Sequence, residues 1–408
     1  MFIQKGDKLK YLLLTDIPPC KNYTGGLVLD QLSRFVSEGS LCCVAVVHPG
    51  ATNARLSEDL NWIPIKYIDK PNEYWVLLSG KLKFINKVVS FFCEAFKGTF
   101  TRRRIQKQIS AFAKQHSVTA LWAVMEGQTV IRIAYPLAKE LNIPLFTEVW
   151  DPPQWWLKEH GVDDYTQKRV LQKFEDALRY SDGCYAASWA MAEEFSKQYG
   201  TRMSVFLPSL EKSLAQKPSL SLNNDTEISI GVAGVLYSSS EWQALLNALD
   251  SCSWRINGRK VVVKLLTREV KLSSFSAQNI QYFGFRPQSE AIDILSECDV
   301  LYCPYWFDSN YQVEARLSFP SKITTYFAAG RPVFFHGPRY SSPYVFLENH
   351  DAAFLCDSLE AENILAVVSR IITEPQLYSQ YAMASNDLFN KHFTLESLKT
   401  SFTDFLRL

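Results

Sequence analysis

The sequence lacks several features that would have defined its function at once. No stretch reaches about eighteen consecutive apolar residues, so we expect no membrane-spanning helix. The first residues lack the apolar length of a signal peptide. The nine cysteines form no C-x-x-C pair and no Cys/His cluster at metal spacing, so we expect no metal site and a reducing, cytoplasmic setting.

The chain also lacks a strong excess of either charge. Its formal net charge of +1 favours neither a nucleic acid nor any other highly charged partner. With 47% hydrophobic and 21% charged residues, it has the composition of an ordinary globular protein. At 408 residues it exceeds what one hydrophobic core usually organises, which predicts two domains.

What the sequence does contain is a regular alternation of short apolar runs and amphipathic helical patterns. Runs such as LCCVAVV, LFTEV and DVLYCP predict buried strands of parallel sheets covered by helices on both faces. The polar stretch LEKSLAQKPSLSLNNDT predicts a linker between two such sets. We therefore predict an α/β protein with two Rossmann-like, doubly wound domains facing across a cleft. The predicted boundaries are 1–209 for the first domain, 210–226 for the linker, 227–385 for the second domain and 386–408 for a C-terminal helix.

A lysine at a predicted helix start is the main candidate site residue. In FPSKITTYFAAG, Pro320 and Ser321 fit the beginning of a helix, with Ser321 as its cap. Because a helix start carries partial positive charge, Lys322 is unfavourable there unless an anion binds. A bound diphosphate would be held by the helix end and the ammonium together, with the hydroxyls of Thr324 and Thr325 in the next turn. The alternative is that Lys322 extends into solvent.

Acidic and aromatic residues follow predicted strands in the first half. In EVWDPPQWW, Asp151 is placed to accept a proton from an acceptor hydroxyl, and Trp150 and Trp155 offer flat faces for sugar rings. Glu126 ends another strand and is a further acceptor candidate. The alternatives are that Asp151 fixes a turn before two prolines and that the tryptophans belong to the core.

Two residue pairs are further candidates. Gly25 and Gly26 stand before a predicted helix, where paired glycines allow the backbone to approach a substrate closely. Tyr305 and Trp306 follow a predicted strand and are placed to stack on a nucleotide base or a sugar. For the second pair, packing between loops is the alternative.

The segment from 81 to 115 is strongly basic and rich in phenylalanine. It contains nine Lys or Arg residues against one Glu, with Phe84, Phe91, Phe92, Phe96 and Phe100 between them. Such a segment suits a peripheral contact with an anionic membrane surface. The interpretation we favour from the sequence is a solvated basic helix whose phenylalanines lie in the core. Nucleic-acid binding is disfavoured because no recognised motif accompanies the charge.

Three motifs in the second half resemble the donor-binding domain of GT-B glycosyltransferases of the glycosyltransferase family 4 type. They are a G-x-x-P loop, a D-V-x-x-x-P strand and a P-S-K-x-x-E-Y-x-A-x-G-x-P-V segment, at Gly284–Pro287, Asp299–Pro304 and Pro320–Val333. The resemblance implies that 227–385 binds a nucleotide-sugar donor, that 1–209 binds the acceptor, and that the last helix packs back on the first domain. It also implies that Phe285 and Arg286 hold the nucleoside base.

The family pattern is incomplete. Thr325 occupies the position of the second of two glutamates that the family commonly carries, and Leu317 stands eight residues earlier. Glu314 lies in the same loop and is the candidate substitute. No basic pair follows the first strand of the second domain, so Lys322, helped by Arg316, is expected to contact the leaving diphosphate.

The resemblance implies a metal-independent, retaining glycosyltransferase of the hexosyltransferase type, without a cofactor, that uses a nucleotide sugar as co-substrate. A glycan or lipid-linked acceptor and a role in surface polysaccharide or glycoconjugate synthesis are expected, with the protein in the cytoplasm or peripheral to the inner face of the membrane. The alternatives are a non-catalytic nucleotide-sugar-binding scaffold and a GT-B-fold sugar-nucleotide epimerase.

Overall fold

The structure is a computed structural model of the chain and describes residues 9–50, 53–73, 85–236, 238–267 and 277–408. The chain divides into two compact units. The first comprises Met1–Phe206 and Lys399–Leu408, and the second comprises Leu207–Leu398. The first residues of the basic segment, 81–84, lie outside the described residues. In the part described, no helix is both long and apolar enough to cross a membrane.

The first unit is built on a parallel sheet with the order β3-β2-β1-β4-β5-β6-β7. Its strands are β1 (Tyr11–Thr15), β2 (Leu41–Val47), β3 (Ile65–Asp69), β4 (Ala120–Val124), β5 (Leu145–Val149), β6 (Gly183–Ala186) and β7 (Met203–Val205). Every residue of β1, β4 and β5 is buried, as expected for strands covered on both faces. The chain builds outward from β1 to β3 on one side and then from β4 to β7 on the other. Its topological switch point therefore lies between β1 and β4.

Helices connect these strands. They are α1 (Thr24–Ser33), α2 (Asn86–Phe96), α3 (Arg102–Gln115), α4 (Gln128–Leu141), α5 (Pro153–Glu159), α6 (Asp164–Tyr180) and α7 (Trp189–Tyr199). A π-helical stretch, Lys97–Thr101, joins α2 to α3 without a break. The alternation of strand and helix explains why the sheet is parallel, because each crossover helix returns the chain to the same edge.

The second unit contains another sheet, with the order β11-β10-β8-β12-β13-β14. Its strands are β8 (Glu227–Ala233), β9 (Arg255–Ile256), β10 (Arg259–Leu266), β11 (Ile280–Tyr282), β12 (Val300–Pro304), β13 (Val333–His336) and β14 (Ala353–Cys356). All pairings are parallel except that of the short β9 with β10. Here the switch point lies between β8 and β12. The predicted fold class, two Rossmann-like α/β domains, is confirmed.

The helices of the second unit complete the same alternation. They are α8 (Ser239–Ser251), α9 (Gln288–Ser296), α10 (Gln312–Leu317), α11 (Lys322–Ala328), α12 (Ser342–Asn349), α13 (Ala361–Thr373), α14 (Pro375–His392) and α15 (Leu395–Leu406). The sequence predicted one helix over 386–408, whereas the structure has two, because α14 ends at His392 and α15 begins at Leu395. The chain passes from the second unit back to the first within α15.

Aromatic packing holds the last ten residues to the first unit. The ring of Phe402 lies 5.1 Å from that of Trp122 in β4, and the ring of Phe405 lies 5.6 Å from that of Phe146 in β5. Both pairs meet edge to face, the arrangement that aromatic rings prefer. The C-terminal residues are therefore part of the core of the first unit.

The polar stretch 210–226, predicted as a linker, is hydrogen-bonded into the second unit. The amide of Gln216 donates to the carbonyl of Ala328 at 2.7 Å, and the amide of Ser219 donates to that of Gly330 at 2.9 Å. Further along, the amide of Asn223 donates to the carboxylate of Asp299 at 2.7 Å. The stretch 210–226 has few apolar residues because hydrogen bonds, rather than apolar contacts, hold its backbone to the second unit. It is not a flexible linker.

Asp299, the first residue of the D-V-x-x-x-P motif, organises this region. Its carboxylate is buried and accepts hydrogen bonds from the amide of Asn223 and from both the amide and the hydroxyl of Ser229, each at 2.7 Å. Its own carbonyl accepts from the hydroxyl of Tyr378 at 2.6 Å. Asp299 thus joins β8 and the polar stretch through its carboxylate, and α14 through its carbonyl.

We expect Asp299→Asn to lower the free energy of unfolding of the second unit by about 2 to 3 kcal/mol, because an amide group would face backbone donors that need an acceptor. Urea unfolding followed by tryptophan fluorescence measures this change. Asp225→Asn is the matched control, since the Asp225 side chain is 98% exposed in its ion pair with Arg259. That change should stay within about 0.5 kcal/mol. Equal effects of the two substitutions would contradict the role given to Asp299.

Candidate functional site

The candidate site of the second unit is centred on Lys322, the first residue of α11. Its Nζ donates a hydrogen bond to the carbonyl of Val235 at 3.2 Å, and Val235 lies just after β8. The ammonium therefore lies at the carboxyl end of the sheet, beside the switch point between β8 and β12. Lys322 is only 8% exposed, and burial lowers the pKa of its amine. The alternative that it extends into solvent is wrong.

The hydroxyl groups around Lys322 differ in what they do. Ser321 is exposed and has a helical backbone conformation, and its hydroxyl makes no capping bond, so the predicted side-chain cap is absent. The Thr324 hydroxyl donates to the carbonyl of Pro208 at 2.8 Å, which gives it a structural role within the unit. The Thr325 hydroxyl accepts from Nε2 of Gln288 at 2.8 Å. Only Ser321 and Thr325 remain at the accessible side of this helix.

The Gly284–Pro287 loop presents an aromatic ring to solvent. Gly284 has φ +71°, a conformation that a side chain would strain, and Phe285 is 72% exposed. Nη1 of Arg286 lies 3.8 Å from Oε2 of Glu290, which is in the first turn of α9. Since Gln288 connects α9 to Thr325, the structure joins this loop to α11 and so to Lys322.

Tyr305 is not available for the predicted stacking on a base or a sugar. It is 1% exposed, its hydroxyl donates to the carbonyl of Ser318 at 3.1 Å, and its ring packs 5.9 Å from that of Phe335. The prediction failed because an aromatic residue just past a strand can turn inward as readily as outward. Trp306 stacks on Tyr311, with the rings 5.3 Å apart.

Glu314 and Arg316 both lie on the short helix α10 and face in different directions. Glu314 is 5% exposed, whereas Arg316 is exposed. The amide of Ser318 donates to the carbonyl of Glu314 at 2.8 Å and closes the helix. A carboxylate is thus buried on α10, in the segment where the family pattern has a glutamate, at the offset position that the sequence indicated.

The structure adds a buried carboxylate, Glu241, that the sequence did not single out as a site, and it also buries the imidazole of His336 at a strand end. Glu241, in the first turn of α8, is fully buried and accepts from the amide of Phe307 at 2.7 Å. His336 ends β13, and burial lowers its pKa to about 4, so the ring is neutral. Its Nε2 then donates to the carbonyl of Ser358 at 2.8 Å, and its Nδ1 accepts from the hydroxyl of Tyr302 at 2.7 Å. The sequence could have indicated Glu241, because it is an acidic residue in the first turn of α8, the helix that follows β8.

The first unit has a candidate site of its own, an acidic cluster that consists of Asp16, Lys70, Glu73, Glu126 and Asp151. Asp16 follows β1 and pairs with the amine of Lys70. The same amine nitrogen lies 3.1 Å from Oε2 of Glu73. Glu73 accepts the amides of the first two residues of α4, at 3.3 and 2.6 Å. One carboxylate therefore caps the helix while the ion pair holds Asp16 in place.

Glu126 is the least stabilised acid of the acidic cluster. Its Oε2 is buried and meets no hydrogen-bond donor among the described residues, and the same is true of Oδ1 of Asp16. Burial, together with the nearby charges of Asp151 and Asp16, raises the pKa of Glu126 to about 8. Burial also raises the pKa of Asp16, and Lys70 opposes that shift. At neutral pH, Glu126 therefore holds a proton that it can donate.

The structure thus brings together two of the predicted acceptor residues, Glu126 and Asp151, and adds Asp16, which the sequence analysis missed. All three follow the adjacent strands β4, β5 and β1. The signal for Asp16 was present in the sequence, because LLLTD ends a strand with a carboxylate in the same way as the other two.

The glycine pair has a structural reason within the first unit. Gly25 and Gly26 lie inside the first turn of α1. A Cβ at Gly25 would come within 2.5 Å of the Trp150 ring, and one at Gly26 within 2.3 Å of Sγ of Cys20. Contacts inside the unit explain why these positions need glycine, and the close approach of a substrate to their backbone stays a prediction.

A buried glutamate anchors Trp150. Glu148 accepts from the indole nitrogens of Trp122 at 2.9 Å and Trp150 at 2.7 Å. Burial raises its pKa to about 7, which the two indole donors oppose. Further on, in α5, the indole N–H groups of Trp155 and Trp156 meet no acceptor in the described part of the chain. No cluster of three or more His, Cys, Asp or Glu residues suited to a metal occurs among the described residues.

We expect Glu126→Gln to make the first unit more stable than the wild type, with a difference that grows with pH. The folded-state pKa of Glu126 is raised to about 8, so the stability from its bound proton is full below pH 4.5 and is lost as the pH rises through 8. Glutamine stays neutral throughout, and the melting temperature measured from pH 4.5 to 8 follows the difference. Glu159→Gln, at an exposed residue of α5, is the control. A difference that does not change with pH would show that Glu126 has an ordinary pKa.

No protein-family model matches the sequence, and no curated protein matches it. Solved structures do resemble it over nearly its whole length. Anabaena Alr3699/HepE in complex with UDP is 16% identical, with a TM-score of 0.65 over 98% of this chain and 100% of that one. Sucrose-phosphate synthase from Thermosynechococcus elongatus is 12% identical, with a TM-score of 0.64 over 98% of each chain. A glycosyltransferase from Rickettsia africae is 13% identical, with a TM-score of 0.59 over 98% and 99%. These likenesses show that the chain has the GT-B fold.

Proposed function

We propose that the chain is a glycosyltransferase of the hexosyltransferase type that moves a sugar from a nucleotide-diphosphate sugar to a glycan or lipid-linked acceptor. The observation that carries this proposal is the burial of Lys322 beside the switch point between β8 and β12. Open α/β sheets bind their ligands at such points. Support comes from Anabaena HepE, whose structures contain UDP, UDP with glucose, and UDP-glucose.

On the donor side, the ammonium of Lys322 contacts the diphosphate. An approaching diphosphate opposes the effect of burial on the lysine pKa and keeps the amine protonated. As the bond from the anomeric carbon to the diphosphate oxygen breaks, negative charge grows on the leaving group. A cation already in place stabilises this transition state, and more strongly in a buried site than in water.

Other residues of the second unit hold the rest of the donor. The exposed ring of Phe285 and the adjacent Arg286 contact the nucleoside, while Ser321 and Thr325 offer hydroxyls to the phosphates. Arg316 adds a second positive charge. The stabilising charge comes from side chains, which supports a metal-independent reaction without a cofactor. The resemblance to glycosyltransferase family 4 supports a retaining reaction.

On the acceptor side, the attacking hydroxyl gives its proton to Asp151 as its oxygen bonds to the anomeric carbon. Protonated Glu126 donates a hydrogen bond to the acceptor, and the rings of Trp150 and Trp155 contact its sugar. Glu314 takes the place of the glutamate that the family has in the donor domain. We place the reaction in the cytoplasm, at the inner face of a membrane where a lipid-linked acceptor in surface polysaccharide synthesis would be found.

A specific observation favours a second candidate, a non-catalytic nucleotide-sugar-binding scaffold. Thr325 stands where the family has a glutamate, and its hydroxyl is bonded to Gln288 rather than to a charged group. In this case, nucleotide sugars would bind tightly without turnover on any acceptor. A GT-B-fold epimerase would instead release nucleotide and free sugar in the absence of an acceptor.

We expect Lys322→Ala to weaken nucleoside-diphosphate binding about ten- to a hundredfold, since a charge-assisted hydrogen bond contributes roughly 1.5 to 3 kcal/mol. Transfer should fall about 100- to 1000-fold, as it does when one preorganised donor is removed from a buried site. Isothermal titration and a UDP-release assay measure the two effects. The melting temperature should change little, because the variant no longer buries a charge.

Lys391→Ala is the matched control, because Lys391 is an exposed lysine of the second unit. It should bind nucleotide like the wild type. Unchanged affinity in Lys322→Ala, with the protein folded, would reject the assignment of this site.

A thermal-shift screen over nucleotide sugars and nucleoside diphosphates tests the substrate class. A ligand present at about 100 times its dissociation constant adds about 2.7 kcal/mol of stability, which raises the melting temperature by several degrees. We expect a nucleoside diphosphate and its sugar derivative to give this shift, and sugar phosphates lacking the nucleoside to give less. A chain that none of these compounds stabilises would not be a nucleotide-sugar enzyme.

A further inference from the structure

The helix from 86 to 115 is polar toward the protein and apolar toward solvent over its first half. In α2, Ser90 and Glu94 are buried, at 5% and 6% exposure. Glu94 pairs with both terminal nitrogens of Arg132 in α4, which is itself 6% exposed, and Oε2 lies 2.7 Å from Nη2. This ion pair turns the polar side of α2 inward.

The opposite side of this stretch carries large apolar side chains in solvent. We call it the phenylalanine face, made of Val88, Phe91, Phe92, Phe96 and Phe100, which are 56%, 51%, 66%, 59% and 71% exposed. Four of them, Val88, Phe92, Phe96 and Phe100, are spaced four residues apart and so form one line along the helix. The interpretation favoured from the sequence, in which these phenylalanines lie in the core, is wrong.

Basic side chains continue along the exposed side into α3. Arg103, Arg104 and Lys107 are exposed, whereas Ile105 and Ile109 are buried, so this half has the usual polarity of a surface helix. The helix therefore presents an apolar stretch followed by a cationic one, both on its solvent side. The acidic Glu94 is on the buried side and does not reduce this positive charge.

We propose that the phenylalanine face docks on an anionic lipid bilayer. The aromatic rings enter the boundary between headgroups and acyl chains, while Arg103, Arg104 and Lys107 contact the lipid phosphates. A second copy of the chain fits less well, because pairing this face with itself would bring the same positive charges together. This inference goes beyond the proposed glycosyl transfer and does not depend on it, since lipid binding needs neither donor nor acceptor.

The test is flotation of the full chain with phosphatidylcholine vesicles, with and without phosphatidylglycerol. The wild type should bind the anionic vesicles, and salt should weaken the binding. A variant that combines Phe92→Ser, Phe96→Ser and Phe100→Ser should keep its melting temperature, because these rings are exposed, and should lose vesicle binding. The matched control combines Leu220→Ser, Val345→Ser and Met383→Ser at exposed apolar residues of the second unit, at 55%, 43% and 48%, and should bind like the wild type.

Charge-reversal substitutions measure the electrostatic contribution to vesicle binding. Arg103→Glu with Arg104→Glu should weaken binding at least about thirtyfold, because each basic side chain near an anionic surface contributes about a factor of five. Failure of the wild type to float with anionic vesicles would overturn the proposal. So would a concentration-dependent dimer, seen by sedimentation, that the phenylalanine variant abolishes while vesicle binding stays absent. Equal binding by both triple variants would move any lipid contact away from this face.

Discussion

Parallel strands all end at the same edge of their sheet, and this constraint determines where chemistry can occur in each unit. In the second unit, β8 and β12 are neighbours whose connections run in opposite directions, so no crossover covers the edge between them. Lys322 occupies that edge with its amine against the Val235 carbonyl. Removing an ammonium from water is unfavourable, and the lowered pKa expresses that cost. An anion is the ligand that reverses it.

The first unit obeys the same constraint with the opposite charge. Asp16, Glu126 and Asp151 follow β1, β4 and β5 and so lie at one edge of the sheet, where the amine of Lys70 pairs with Asp16. Because close carboxylates cannot all ionise cheaply, one of them keeps its proton, and Glu126 is that one. A cationic edge suits a departing diphosphate, and an acidic edge with a shared proton suits an incoming hydroxyl. The two units therefore divide the chemistry that the proposed reaction requires.

Much of this arrangement was predictable because it depends on short-range sequence patterns. Strands such as β4 and β12 are continuous apolar runs, and the helix that begins at Lys322 was predicted correctly although Ser321 does not cap it. What failed depends on partners far along the chain. Tyr305 packs against Phe335, and the Thr324 hydroxyl bonds to the carbonyl of Pro208, so neither side chain makes the predicted ligand contact. A sequence pattern indicates that a residue is constrained, but it does not identify the contact that constrains it.

The helix from 86 to 115 shows the same limit in its strongest form. Periodicity gives the spacing of the apolar side chains, but not which side of the helix faces the protein. Apolar residues usually face inward, and that rule placed the phenylalanines in the core. The outcome is reversed because Arg132 is buried in the first unit and needs a carboxylate, which Glu94 supplies from the polar side of α2. An uncompensated buried guanidinium would cost more than exposed aromatic rings, so the ion pair fixes the rotation of the helix. The rings are left outward, where an apolar environment outside the protein can cover them.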